Sequence, residues 1–174
     1  MPTAVITPLI WRKFVVSGGA VVIAKLAIAT LPDAAFAQIF CRVPAWIAAA
    51  YFQASLTGET LCLASGRMVS VTRACGGADF FAILCAMFAW QVVPGRIRWF
   101  PVLCAGAWVV TIFVNAMRVI AAVWIRAFTE LLLPERMEAA VHLVSGVLVF
   151  FPALLAIWWL SCRAFPGKCA IIEE

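Results

Sequence analysis

The run from Trp99 to about Trp124 carries one charged side chain, Arg118, in an otherwise almost wholly apolar stretch. A run so long and so poor in charge meets the roughly 20 residues that a helix needs to cross the hydrocarbon core of a bilayer. Three other stretches follow the same pattern. Phe14 to Leu31 sits behind Arg12 and Lys13 and is stopped by Pro32-Asp33; Phe80 to Val93 is stopped by Pro94-Gly95; a last run extends from about Ala139 to Cys162. The chain has 174 residues, 66% hydrophobic and 12% charged, where an ordinary soluble domain is about half apolar and a quarter charged. Spans and short connections therefore consume nearly all of it. A water-soluble globule and a separate soluble catalytic domain are both excluded, so any chemistry must come from the membrane helices or the segments between them.

Between the first and second runs the pattern changes twice. Gln38 to Leu56 is apolar but interrupted by Arg42, Pro44 and Gln53, with Trp46, Tyr51 and Phe52 of the kind that settle at the lipid–water boundary. It reads as an interfacial or re-entrant helix, residues 38–56. Residues 57–73 turn to Thr, Gly, Ser, Glu and Arg, and the apolar pieces flanking Ser65-Gly66 read as a short β-hairpin. The expected architecture is a single all-α integral membrane domain over 1–174. It has about four transmembrane helices (12–31, 76–93, 99–125 and 139–162), an outer-face amphipathic or re-entrant helix and a short β-hairpin. The first run also has signal-peptide character, because basic residues, an apolar run and Ala35-Phe36-Ala37 occur in the required order. Lys25 inside the run argues against cleavage.

Net charge is +5, but the thirteen basic residues are scattered rather than gathered on one stripe, which argues against nucleic acid. Placing both termini and the Arg96/Arg98 loop in the cytoplasm satisfies the positive-inside preference at the shortest loops. The Cys75 segment then faces outside. Seven cysteines without a C-x-x-C pair argue against a disulfide framework or a dithiol redox centre, and a single histidine, His142, against a protein-only zinc or bis-histidine haem site. No cofactor and no metal are expected.

In this topology three awkward residues share one depth: Cys75 at the start of the second span, Arg118 late in the third, and His142 early in the fourth. An arginine inside a span costs several kcal/mol and should face the protein interior or snorkel to the boundary. Asn115, three residues earlier and on the same helical face, could orient the guanidinium or hydrogen-bond a substrate carbonyl. Cys75 follows a polar segment, precedes Gly76-Gly77 and lies at a helix amino terminus, all of which favour a thiolate. The two glycines permit close approach of a substrate backbone or exposure of amide donors. Cys62 is the next candidate nucleophile, whereas Cys85, Cys104 and Cys162 lie in apolar runs as packing residues. His142 could take the thiol proton and return it to a leaving amine, or simply pack. Asp79, one turn beyond Cys75, is a helix-start charge or a partner for Arg118 or His142. Lys25 is expected to be buried against an acceptor or lost with a signal peptide, and is assigned no chemistry.

Ala74-Cys75-Gly76-Gly77 at a span start, Asn115-Ala116-Met117-Arg118-Val119 late in the next and His142 at the head of the last resemble the exosortase/archaeosortase family, over about Pro44 to Trp159. The usual cysteine motif often has Ser or Ala where Gly76 stands, and most members have more spans, so the chain resembles a minimal form of the short exosortase K type. The resemblance implies a cysteine transpeptidase or peptidase of the bacterial cytoplasmic membrane, active at its outer face. Its partner would be a membrane-anchored substrate protein with a carboxyl-terminal, PEP-CTERM-like sorting tail. It further implies that Cys75 forms a thioester, Arg118 stabilises the oxyanion and His142 is general acid and base. The competing expectation is a non-catalytic small membrane subunit or assembly factor of an export or polysaccharide system, in which Arg118 and Asn115 only join helices.

Overall fold

A computed structural model describes residues 8–92, 97–129 and 138–164, which form an all-α membrane protein with one small sheet. The element order is α1 (Pro8–Ala29), α2 (Asp33–Phe36), a π-helical turn (Ala37–Cys41), α3 (Arg42–Phe52), strands β1 (Ser55–Thr57), β2 (Thr60–Cys62) and β3 (Met68–Ser70), a 3₁₀ turn (Arg73–Cys75), α4 (Ala78–Val92), a second 3₁₀ turn (Ile97–Trp99), α5 (Phe100–Thr129) and α6 (Glu138–Ala164). Among the described residues three helices are long and apolar enough to cross a membrane: Asp33–Phe52, Phe100–Phe128 and Leu143–Arg163. The helix Ala78–Val92 is apolar but shorter, and α1 is long but holds Arg12, Lys13 and Lys25.

Asp33–Phe52 begins earlier than the interfacial segment expected from sequence and is continuous through its π turn. Extended Pro32 starts it, and its carbonyl accepts the Phe36 N–H at 2.9 Å. The irregularity falls just before Pro44, which has no N–H to give back to the preceding turn. The Ile39 carbonyl inside the π turn accepts instead from the Trp108 indole N–H at 3.2 Å. The helix ends where Gln53 turns left-handed (φ 51°), with the Ala54 N–H on the Ala49 carbonyl and the Gln53 N–H on the Ala50 carbonyl, a Schellman closure. Leu56 and its neighbours thus belong to a strand, and the expected hairpin gains a third member: β1 pairs antiparallel with β2, and β2 with β3. Leu61, on the central strand, is fully buried against the α3 and α5 cluster and anchors the sheet there.

In α5 the buried side chains are Ala107, Thr111, Ile112, Asn115, Ala116, Arg118, Val119 and Ile120, a stripe of three- and four-residue steps that makes one inward face. Against lipid, burial itself gives helices little reason to associate, so packing and hydrogen bonds carry the bundle. Small residues let the backbones approach: Ala82 and Ala89 on α4, Ala107 and Ala116 on α5. Helix α4 is central, packed on α1 along one side and on α5 along another. Phe14 meets Trp90 edge-on at 4.9 Å while Lys25 ion-pairs with Asp79, so α1 and α4 run antiparallel. At 15 residues α4 is roughly 22 Å long, shorter than a hydrocarbon core of about 30 Å. Its start, Gly77, accordingly lies against Thr111 and Asn115, near the middle of the 30-residue α5 rather than at its end.

Candidate active site

Cys75 closes the 3₁₀ turn that leads into α4. Its N–H donates to the Thr72 carbonyl at 2.8 Å, and the Thr72 hydroxyl lies 3.7 Å from its sulfur as a donor. The same Thr72 carbonyl receives the buried Cys41 thiol at 3.7 Å, which ties the turn to the π turn beneath it. Arg73 fixes the other side. Its guanidinium donates to the Asp33 carboxylate at 2.6 Å and to the carbonyls of Ile28 at 2.9 Å and Leu31 at 3.4 Å, and it stacks on Phe36 at 4.6 Å. Carbonyls at the end of a helix lack intrahelical partners and carry partial negative charge. One cation therefore joins the end of α1, the start of α2 and the turn of the cysteine.

The two glycines after Cys75 do different things. Gly76 is right-handed (φ −71°, ψ −9°) and its N–H donates to the Arg73 carbonyl at 3.2 Å. A Cβ there would lie 2.7 Å from two ring carbons of Phe36, so only glycine fits without moving the ring. Gly77 is left-handed (φ 70°), a conformation that side chains disfavour. A Cβ on it would touch Asn115 Cγ and Thr111 Cγ2, each at 3.3 Å. Right-handed followed by left-handed residues turn successive N–H groups toward one concavity, here at the amino terminus of α4.

Gly77, Ala78 and Asp79 line a cavity of about 830 Å³ between α1, α4, α5 and α6. Its charged lining is Lys25, Arg73, Asp79 and Arg118. Arg118 is buried and lies beside Gly146 of α6, where a Cβ would meet its Nε at 3.4 Å; its guanidinium stands 5.1 Å over the Phe150 ring. A glycine on α6 is thus what lets the arginine lie against that helix. Cys75 is within electrostatic range of Arg118. Asp79 ion-pairs with Lys25, so the lysine has the expected acceptor, but its side chain is exposed rather than buried. Asn115 is completely enclosed behind Gly77. His142 belongs to α6, one turn before Gly146, and its side chain lies outside the described residues.

Of the residues singled out from sequence, Gly77, Asp79 and Arg118 thus share one cavity, Asn115 backs it, and the turn of Cys75 and Gly76 leads into it. Arg73, Lys25, Gly146 and Phe150 were not anticipated. Arg73 stands two residues before the cysteine, but its hydrogen-bond partners lie forty or more positions away and leave no local signal. Cys62 sits in the sheet opposite Ser55 and Met68, away from any helix start. Cys162 is disulfide-bonded, which corrects the expectation of a simple packing residue.

The family model described as Transmembrane exosortase (Exosortase_EpsH) matches residues 6–159. No curated protein and no solved structure matches the chain. The matched stretch takes in every element from α1 through most of α6, including the cysteine turn, the arginine of α5 and the cavity between them, and on that coverage the chain belongs to the transmembrane exosortase family.

Proposed function

We propose that the chain is a membrane-embedded cysteine transpeptidase or peptidase. It cleaves a PEP-CTERM-like carboxyl-terminal sorting tail from membrane-anchored, exported proteins at the outer face of the bacterial cytoplasmic membrane. The observation that carries this reading is the cavity itself: the turn that holds Cys75 is flanked by Arg73 and Gly77, which line the cavity together with the buried Arg118. Charged groups at membrane depth are expensive and mark functional sites when they face an interior cavity.

In the reaction, His142 accepts the Cys75 proton and the sulfur adds to the carbonyl carbon of the scissile peptide. Charge develops on the carbonyl oxygen, and Arg118, held over Phe150, stabilises it. The carbon–nitrogen bond then breaks, the leaving amine takes the proton from His142, and the acyl group remains on sulfur as a thioester. An amine, another acceptor or water releases it by the reverse sequence. Asp79 and Lys25 neutralise each other at the cavity wall, and the start of α4 contributes its unpaired N–H groups near the sulfur.

Cys75→Ala in the native host is the test. The tailed substrate should accumulate uncleaved while the level of the membrane protein stays normal. Normal processing in the Cys75→Ala strain would overturn the proposal and leave a subunit or assembly role.

A further inference from the structure

Helices α1 and α6 both flank α4, yet among the described residues they scarcely touch each other. The cavity lies in that gap, with Lys25 and Ala29 on its α1 side, Ile83 of α4 at its floor and Leu143, Val147 and Phe151 on its α6 side. The last three recur every four residues and so form one stripe of the helix. They are 68%, 59% and 59% exposed, although they face a cleft. From Leu143 to Leu154, which also lines it, the cleft follows α6 for about 16 Å, roughly half the thickness of a hydrocarbon core. An apolar cleft of that length, between two helices that do not close on each other, is open sideways to the bilayer.

The two ends of the cleft differ. Lys25, Arg73 and Arg118 line the end beside the Cys75 turn with a single acid, Asp79; Asp33 adds one carboxylate against Arg73, and the balance stays positive. Toward Leu154 the lining is apolar. An occupant that matches both ends is apolar over several turns and negative at one end. The walls also leave room for a backbone. Ala29 of α1, Gly77 and Ala78 at the start of α4 and Gly146 of α6 project little or nothing into the space, and small residues are what let one helix approach another within a membrane. A peptide that comes from lipid must satisfy its backbone hydrogen bonds internally, so it comes as a helix.

We infer that the cleft between α1 and α6 is the lateral entrance for the substrate: the apolar helix of the tail moves from the bilayer onto the stripe of Leu143, Val147 and Phe151, and an acidic residue ahead of that helix meets the cationic end beside Lys25 and Arg73. This rests on the peptidase reading for the identity of the occupant. It adds the route by which the tail arrives and the residues that select it.

The test traps the helix by light and needs no cleavage, so it uses the purified full-length Cys75→Ala protein in vesicles of phosphatidylethanolamine and phosphatidylglycerol. The probe is a synthetic peptide with one glutamate, an apolar Leu/Ala helix of about 20 residues and closing arginines that fix its orientation. The photoreactive residue benzoylphenylalanine is placed at Val147 or Phe151 in the cleft, or at Leu148 or Leu155, which are similarly exposed (60% and 51%) but do not line it. Adducts are identified by mass spectrometry after illumination. Peptide adducts at the two cleft positions should exceed those at Leu148 and Leu155 by about ten-fold, a modest preference on the affinity scale, with lipid trapped at the outer positions instead. A peptide with glutamine in place of the glutamate should be trapped at Val147 about two- to five-fold less, the scale of an ion pair in a hydrated setting. Equal peptide trapping at all four positions, lipid alone at Val147 and Phe151, or no response to the glutamine peptide would each overturn the inference. Failure of the nucleophile reading is separate: it appears as normal processing in Cys75→Ala cells and does not alter the trapping pattern.

Discussion

Phe36 decides what can follow the cysteine. Its ring lies 2.7 Å from the place a Cβ at position 76 would take, so glycine there is a packing requirement. Gly76→Ala should destabilise the protein by about 1–3 kcal/mol, the usual cost of inserting a methyl group into a full site, seen as a lower unfolding midpoint. Gly76→Ala with Phe36→Ala should cost less than the sum of the two single changes, because the second removes the clash made by the first. Simple additivity would contradict the packing explanation. Sequence reading assigned Gly76 and Gly77 one shared task, close approach or amide exposure. It could not separate them, because Phe36 lies forty positions away and only the fold brings its ring to the cysteine turn.

At the scale of elements, apolar runs and their stops were legible because proline and glycine end helices by local chemistry. Pro32 stands between the end of α1 and the helix that starts at Asp33, as expected, while Pro94-Gly95 lie outside the described residues. The third strand and the π turn were not legible. Ser55–Thr57 is too short to show a period of its own and exists by pairing with Thr60–Cys62. The π turn depends on Pro44 and on an indole from α5 that accommodates its carbonyl. The joining of α1 to α4 was equally hidden, since Lys25 and Asp79 are 54 positions apart. Their side chains are 54% and 79% exposed and share the cavity wall with Arg73 and Arg118. Four charged groups around one space keep it hydrated, and an ion pair in that setting is worth little. A double-mutant cycle of Lys25→Ala and Asp79→Ala, read by thermal unfolding of the purified protein, should give a coupling below about 1 kcal/mol. A coupling of several kcal/mol would place the pair in a dry environment and contradict a hydrated cavity.

For the whole molecule, the order of motifs carried more information than any one of them. A cysteine before two glycines, an arginine late in an apolar run and a histidine at the head of the last run are each weak. Their order along the chain suggested the family, and the family is what the match over residues 6–159 bears out. The shortness of α4 gives that order its physical use. With roughly 22 Å of helix, α4 starts beside the middle of α5, and the cysteine turn is drawn inward to the level of Asn115 and Arg118. The helix Asp33–Phe52 and the sheet pack on the second half of α5, where Phe52 meets Trp124, and cover the turn. The proposed chemistry reduces to one covalent bond, between the Cys75 sulfur and the acyl carbon of the cleaved tail. It can be captured by isolating the protein from cells that overproduce a slowly released tailed substrate, quenching in acid and weighing the Cys75 peptide. The expected result is an added acyl mass on Cys75 that hydroxylamine removes; an unmodified Cys75 while the same cells process the tail, or an adduct on Cys62 instead, would contradict it.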